Sequence, residues 1–322
     1  MALAANPSNY LFGKGRIYFK PPGGTAYLDL GNVPKFEITP AVTKVEHYTS
    51  RYGQKIKDLD IITEKKVTAV IDLEEFSIDN LNLAFLGDTV VSSAQAAGSI
   101  SAQSATMVKG QFVELGKYNV FSTKITYTGK TGTGFAIGET VTGGTSTATG
   151  KVAWVTSSYI EVINTSKTFA VGETITGGTS TTTAKVSAAD TVEDVVVTNA
   201  ASSPTTRYVL GVDYDVDDVS GMVRALTSTI TTGYISCDYG AAALDSVRAL
   251  AHSTCIGQLR FVGDPDQGPH LMIDGWKVNI TVSGAVGFIS DAVAQIPLAC
   301  DFLADMQNHP SNPFFQVTMV SR

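Results

Sequence analysis

Few side chains in this sequence are typed and spaced for chemistry. The four histidines, His47, His252, His270 and His309, fall outside H-x-x-x-H and H-E-x-x-H spacing, which argues against a zinc site. His252 and Cys255 lie three residues apart but have no orienting third residue in reach of sequence reasoning, which argues against a nucleophilic dyad. Asp213, Asp215, Asp217 and Asp218 have the outline of a calcium loop. Its sixth position is Asp218 and its twelfth Arg224, where such a loop requires Gly and Glu. On a strand, Asp213, Asp215 and Asp217 share one face and read as a solvated or purposefully negative surface. Glu74 and Glu75, close to Asp72, could serve glycoside hydrolysis only across a cleft. The two tryptophans, Trp154 and Trp276, offer little sugar platform. No nucleophile elbow, P-loop or dinucleotide fingerprint is present. The expectation is a protein that is not an enzyme, with no cofactor and no metal.

The elements around these residues are those of a β protein. Hydrophobic residues make up 43 % of the 322 and charged residues 16 %, against a usual charged share of about 25 %. Thr, Ser, Gly, Val and Ala fill the difference, a mixture that favours strands and turns. Lys14 to Lys20 alternates, and Pro21-Pro22-Gly23-Gly24 breaks it into a hairpin with strands near 27–31 and 35–39. Val67, Ala69, Ile71 and Leu73 alternate with Lys66, Thr68, Val70 and Asp72 as a half-buried strand. Residues 275–284 form the cleanest strand, and 314–320 the last. Residues 77–87 predict a short helix with Ser77 as N-cap and Gly87 as the C-terminal stop, and 245–253 a second one. Residues 88–108, rich in Ser and Ala and low in complexity, read as an exposed or mobile link.

Residues 43–66 are polar, mixed in charge and weakly periodic, and read as a long excursion between strands. Loops of that length are often functional, so the stretch is either a solvated loop or an arm gripping a neighbouring subunit. Mid-chain, the phrase Phe135-Ala136-Ile137-Gly138-Glu139-Thr140-Val141-Thr142-Gly143-Gly144-Thr145-Ser146 returns 34 residues later, beginning at Phe169. A repeat of β-branched residues and paired glycines is a small β unit copied side by side, with the glycines as hairpin turns.

The net charge of −7 argues against general nucleic-acid binding. Three cysteines, Cys237, Cys255 and Cys300, form no disulfide framework and read as free buried thiols of a protein made in a reducing cytoplasm. The N-terminus lacks a basic n-region, which predicts no signal peptide, and no apolar run of about 18 residues predicts a membrane span.

The order of segments resembles the major tail (tail tube) proteins of long-tailed, siphovirus-like bacteriophages. The resemblance rests on Leu30-Gly31-Asn32-Val33-Pro34-Lys35-Phe36-Glu37-Ile38-Thr39, on Val45 to Lys55, on the strand ending Leu73-Glu74-Glu75-Phe76 with its following helix, on Asp213-Tyr214-Asp215-Val216-Asp217, and on the closing run from Ala294 to Phe315. It covers about residues 10–125 and 190–320. It implies a mainly β fold, a tail-tube β-sandwich or barrel with one or two short flanking helices. The tube core would be discontinuous, 1–125 with 190–322, and 126–189 would be an inserted, duplicated β module on the tube exterior. It further implies homo-hexameric rings stacked into a virion tail, assembled in the host cytoplasm, with tape measure, tail terminator and tail-tip proteins as partners. DNA would pass through the lumen without specific binding, and there would be no membrane insertion. In that setting Lys44, Glu46, His47, Arg51, Tyr52, Lys55, Lys57, Asp58 and Asp60 are the expected assembly-interface residues, with His47 either a packed polar contact or a switch. Glu74, Glu75, Asp213, Asp215 and Asp217 are expected lumen charges that repel DNA. A secreted β-rich adhesin or surface protein is the alternative, and a tail-borne polysaccharide hydrolase a more distant one.

Overall fold

Val67, Ala69, Ile71 and Leu73 are all buried while their neighbours are not, as period-two spacing requires of a strand with one covered face. Patterns of this kind build a mainly β protein, seen in a computed structural model that describes residues 10, 11, 13–88 and 91–320. The chain divides into two compact units, Met1–Val91 with Asp245–Arg322, and Ser92–Leu244. The expected boundaries near 125 and 190 therefore fall inside the second unit.

The chain runs through β1 (Gly15–Lys20), β2 (Leu28–Asp29), β3 (Lys35–Tyr52), β4 (Gln54–Leu73) and α1 (Ile78–Ala84). It then passes through β5 (Val91–Gln95), β6 (Gly98–Thr106), β7 (Phe112–Glu114), β8 (Val120–Thr131), β9 (Thr140–Gly143), β10 (Thr149–Val155) and β11 (Tyr159–Ile163). Next come β12 (Thr174–Gly177), β13 (Thr183–Val192), β14 (Val196–Thr198), β15 (Tyr214–Asp217), β16 (Met222–Ala225), β17 (Thr232–Tyr239) and β18 (Ala242–Ser246). It ends with β19 (Cys255–Gly263), β20 (His270–Val282), β21 (Ile296–Phe302) and β22 (Phe315–Val320).

The first unit is one antiparallel sheet in the order β2-β1-β19-β20-β21-β4-β3, with β22 also paired to β20. Phe36 of β3 and Phe261 of β19 lie with ring centroids 5.4 Å apart although three strands separate them in sheet order, so the sheet curls over its core. Ile17, Phe19, Ile71, Leu73, Leu259, Val278, Ile280 and Leu298 fill that core, each contributing about 1.5–3 kcal/mol by burial. α1 covers one end. Ser77 caps it by accepting the Asn80 amide. Its stop differs from expectation: Leu86, not Gly87, takes the left-handed conformation (φ 46°), and the Gly87 amide donates to the Asn82 carbonyl in a Schellman closure. Gly87 is closely packed: a Cβ there would stand 2.2 Å from Asn82 Oδ1 and 2.6 Å from Val247 Cγ1. Residues 245–253 form the end of β18 and a turn rather than the expected second helix.

In the second unit, β8, β11, β10, β9, β12 and β13 pair successively and β13 returns to β8, closing a six-stranded antiparallel barrel. Ile125, Val141, Val152, Ile160, Val162, Ile175 and Val186 fill it. The two repeats face each other across β9 and β12, where Thr142 pairs with Thr176, its own equivalent 34 residues on. The duplicated module thus supplies most of a barrel that β8 completes. A second core around Tyr214, Val223, Ile235 and Cys237 lies under β17, which carries β6 and β14 on its ladder. The stretch expected to be an exposed link supplies β5 and β6, and β6 pairs with β17 from Gly98 to Thr106; residues 89 and 90 lie outside the described residues.

Candidate functional site, a hairpin arm

Residues 43–66, expected as an excursion without regular structure, are the distal halves of β3 and β4. The two strands stay paired from Lys35↔Asp72 out to Tyr52↔Gln54. Only the first part of this ladder has a core behind it. From Ala41 to Lys66 nearly every described residue is exposed. Twelve residue steps separate Lys66 from Gln54, so the ribbon extends about 40 Å beyond the sheet at 3.3 Å per residue.

The arm has two chemically different faces. In an antiparallel pair, directly opposed residues share a face. Lys44 opposes Ile62, Glu46 opposes Asp60 and Tyr48 opposes Lys57. Lys44 Nζ donates to Asp60 Oδ2 at 3.2 Å and Lys57 Nζ to the same oxygen at 3.3 Å. Lys57 also binds Glu46, and Tyr48 Oη donates to Glu46 Oε2 at 2.6 Å. Hydrogen bonds from Lys57 and Tyr48 hold the Glu46 carboxyl below its ordinary range, and one from Lys44 leads the same effect at Asp60. The other face pairs Val45 with Ile61, His47 with Leu59 and Thr49 with Ile56. Val45, Ile56, Leu59 and Ile61 are each about half exposed.

Bulges separate the segments. At the shift between His47 and Tyr48 the extra residue is Asp58, whose Oδ1 lies 2.6 Å from His47 Nδ1. These shifts are why the alternation is weak in sequence. At the tip, Arg51 and Lys55 are exposed. Tyr52 ends β3, paired with Gln54, with its side chain outside the described residues. Between Tyr48 and Lys57 there is no acidic residue, so the tip is basic. All nine expected interface residues therefore lie on one ribbon, and six of them, Lys44, Glu46, His47, Lys57, Asp58 and Asp60, join polar pairs with one another.

The five expected lumen charges divide between the two units. Glu74 and Glu75 belong to the first unit, where Glu74 accepts from Asn32 Nδ2 at 2.5 Å and Gln295 Nε2 at 3.2 Å. The three aspartates belong to the second and hold local structure. Asp213 accepts the Val209 amide, Asp215 pairs with Arg224 at 2.7 Å, and Asp217 caps the turn at Ser220. Glu75 and Asp217 are the exposed members of the five. Among the described residues no group of three or more His, Cys, Asp or Glu could hold a metal ion.

Two polar devices went unread in the sequence. Arg207 donates to Glu161 through Nε at 2.5 Å and Nη2 at 2.7 Å, and Nη2 also reaches Asp194 at 3.0 Å; Tyr214 Oη donates to Asp194 at 2.6 Å. Burial pushes the Glu161 carboxyl up, and Arg207 only partly offsets it. The other device explains the repeat. Glu139 accepts the Thr179 and Ser180 amides and the Ser180 hydroxyl, while Glu173 accepts the Thr145 and Ser146 amides and the Ser146 hydroxyl. The repeated acid is thus a clasp on the other copy's turn. The first glycine of each pair serves clearance, not positive φ: a Cβ at Gly143 would meet Glu173 Oε1 at 2.6 Å, and one at Gly177 would meet Glu139 Oε1 at 2.8 Å. The left-handed residues of these turns are Thr147 and Thr181, both at φ 56°.

A family model described as "Protein of unknown function UCP028589" matches residues 10–144 and 161–317. The chain belongs to that family. The match takes in the second copy of the repeated phrase and the first as far as Gly144, and leaves out β10, so the family's chain includes most of the barrel as well as the arm. No curated protein matches the chain.

Proposed function

We propose that this chain is a structural protein that polymerises, its copies interlocking through the hairpin arm into stacked rings, six to a ring, that form the tail tube of a long-tailed bacteriophage. The observation that carries the reading is the arm itself. A two-stranded ribbon of this length is marginal in water without a third layer, and a line of exposed Val, Leu and Ile on one face marks an interaction site. A ribbon that leaves its own unit by about 40 Å has a neighbouring molecule as its natural cover.

The ion pairs on the other face give the arm stiffness and register more than affinity. Head-to-tail contacts make rings where the rotation closes and filaments where it does not, and a tube uses both. The net charge of −7 suits a bore through which DNA passes without adhering. Tape measure, terminator and tip proteins would meet such a tube at its ends and inside it.

The test is direct. Purified chain, concentrated stepwise, is followed by sedimentation velocity and negative-stain microscopy, beside a variant in which residues 42–65 are replaced by a two-residue turn. Rings or tubes from the intact chain and monomers from the shortened one are expected. An intact chain that stays monodisperse at every concentration overturns the proposal.

A further inference from the structure

The arm leaves the first unit at one end of its sheet, and a second uncovered apolar surface lies at the other end. β4 runs from the arm through Val67, paired with Phe302, to Leu73, paired with Ile296. Beyond Leu73 lie α1 and residues 283–295, which join β20 to β21. This connection presents Phe288, Ile289 and Val293, and Ile289 is 98 % exposed. It is anchored: the Phe288 ring stacks on Phe85 at 6.3 Å and meets Phe76 edge-on at 6.0 Å, and Val286 packs on the core. Leu250, 78 % exposed, joins it on a strap whose Leu250 and His252 amides donate to the Phe85 and Leu86 carbonyls. An apolar patch held in place by aromatic stacking is built to be covered.

Charge says what covers it. Glu75, Asp79 and Asp291 are exposed at this end, with Arg248 the opposing exposed cation on the strap. The arm tip carries Arg51 and Lys55 with no acid between Tyr48 and Lys57. We infer that the end formed by α1, residues 248–252 and residues 283–295 is the acceptor for the arm of a second copy. Val45, Ile56, Leu59 and Ile61 cover Ile289, Val293 and Leu250, and Arg51 and Lys55 face Glu75, Asp79 and Asp291. The contact is heterologous, one end of the sheet onto the opposite end of the next, and repeats along an axis. It rests on the assembly reading above and adds its address. Glu75 then belongs to a stacking face rather than to the bore.

A benzophenone amino acid in place of Ile56, photolysed in an equal mixture of heavy- and light-isotope chains, reads the neighbour by mass spectrometry. Mixed-isotope cross-links to peptides containing 248–252 or 283–295 are expected. Cross-links to other surfaces of an assembling chain overturn the acceptor while leaving self-assembly standing; a chain that never assembles overturns both. A charge exchange guards against misfolding. Asp79→Lys with Asp291→Lys raises the concentration needed for assembly by about tenfold, as does Arg51→Glu with Lys55→Glu. The chain carrying all four regains assembly, and failure of that rescue with the fold intact also counts against the acceptor.

Discussion

Glu139 and Ser180 are joined by two hydrogen bonds, from the Ser180 amide at 2.9 Å to Oε2 and from its hydroxyl at 2.8 Å to Oε1, and the neighbouring Thr179 amide adds a third to Glu139 at 3.1 Å. Glu173 and Ser146 repeat the relationship in the opposite direction. Burial pushes both carboxyls up, yet the backbone and hydroxyl donors outweigh it and both sit below the ordinary glutamate range. A carboxyl with a depressed folded value stabilises above its unfolded value and loses that stabilisation as pH falls through the folded one. The barrel is therefore expected to lose stability below about pH 4.3, the unfolded glutamate value. Glu139→Gln and Glu173→Gln should each cost about 1–3 kcal/mol at pH 7, in near-equal amounts, with the loss shrinking on acidification. Urea unfolding across pH 3–7 measures both; unequal costs, or costs independent of pH, would contradict the clasp.

Arg207 pairs with both Glu161 and Asp194. Arg207→Met leaves two buried carboxylates facing each other and should cost about 3–5 kcal/mol at neutral pH. Arg207→Lys should recover part of this at most, because one ammonium cannot reproduce the two-pronged contact with Glu161. Since burial already holds the Glu161 carboxyl high, it takes up a proton first as pH falls. The penalty of Arg207→Met should thus be smallest in acid, the same direction as the cost of removing a glutamate clasp. Thermal unfolding of the three proteins at pH 5 and pH 7.5 decides it.

The strands that own a buried face were legible from the alternation of apolar and polar residues. Val67 to Leu73 alternate because one side meets the core, and so do Val278 and Ile280 in β20, whereas Val282 of the same expected face is exposed. The arm was legible as a candidate interface but not as a ribbon, since neither of its faces is covered within the chain and the shift at Asp58 breaks the period. The acceptor end was missed because it gathers residues near 79, 250 and 289 that only the sheet brings together. Arg207, Glu161 and Asp194 were missed for the same reason. The second glycine of each pair lies in a turn as expected, but the first ends a strand, and its cause, clearance for the other copy's glutamate, required the β9–β12 register.

The three thiols should separate cleanly. Burial pushes Cys237 and Cys300 up to about 12, with Asp238 and Asp301 adding to it, and both are buried, whereas Cys255 is half-buried and raised by burial alone. At pH 8 a thiol reagent should modify Cys255 first, and Cys237 and Cys300 only as their units open. Pulse labelling with mass spectrometry along a urea gradient gives the order. It also reports the two units separately, because Cys237 lies in one and Cys300 in the other. Early labelling of Cys237 in native buffer would contradict the packing around Tyr214 and Ile235.

Val45 and Ile61 oppose each other on the apolar face of the arm, and both are about half exposed. Replacing them together, Val45→Glu with Ile61→Lys, keeps a favourable cross-strand pair and removes the centre of the apolar line. Exposed substitutions of this kind change the stability of an isolated chain by about 0.5 kcal/mol or less, so circular dichroism and the unfolding midpoint should match wild type. If the line is the contact, assembly should fail while the fold survives. Lys44→Gln on the opposite face should leave assembly nearly intact, because Lys57 still engages both Glu46 and Asp60. The two variants together distinguish an arm that binds through its apolar side from one that binds through its charges, and sedimentation velocity at matched concentrations reads the difference.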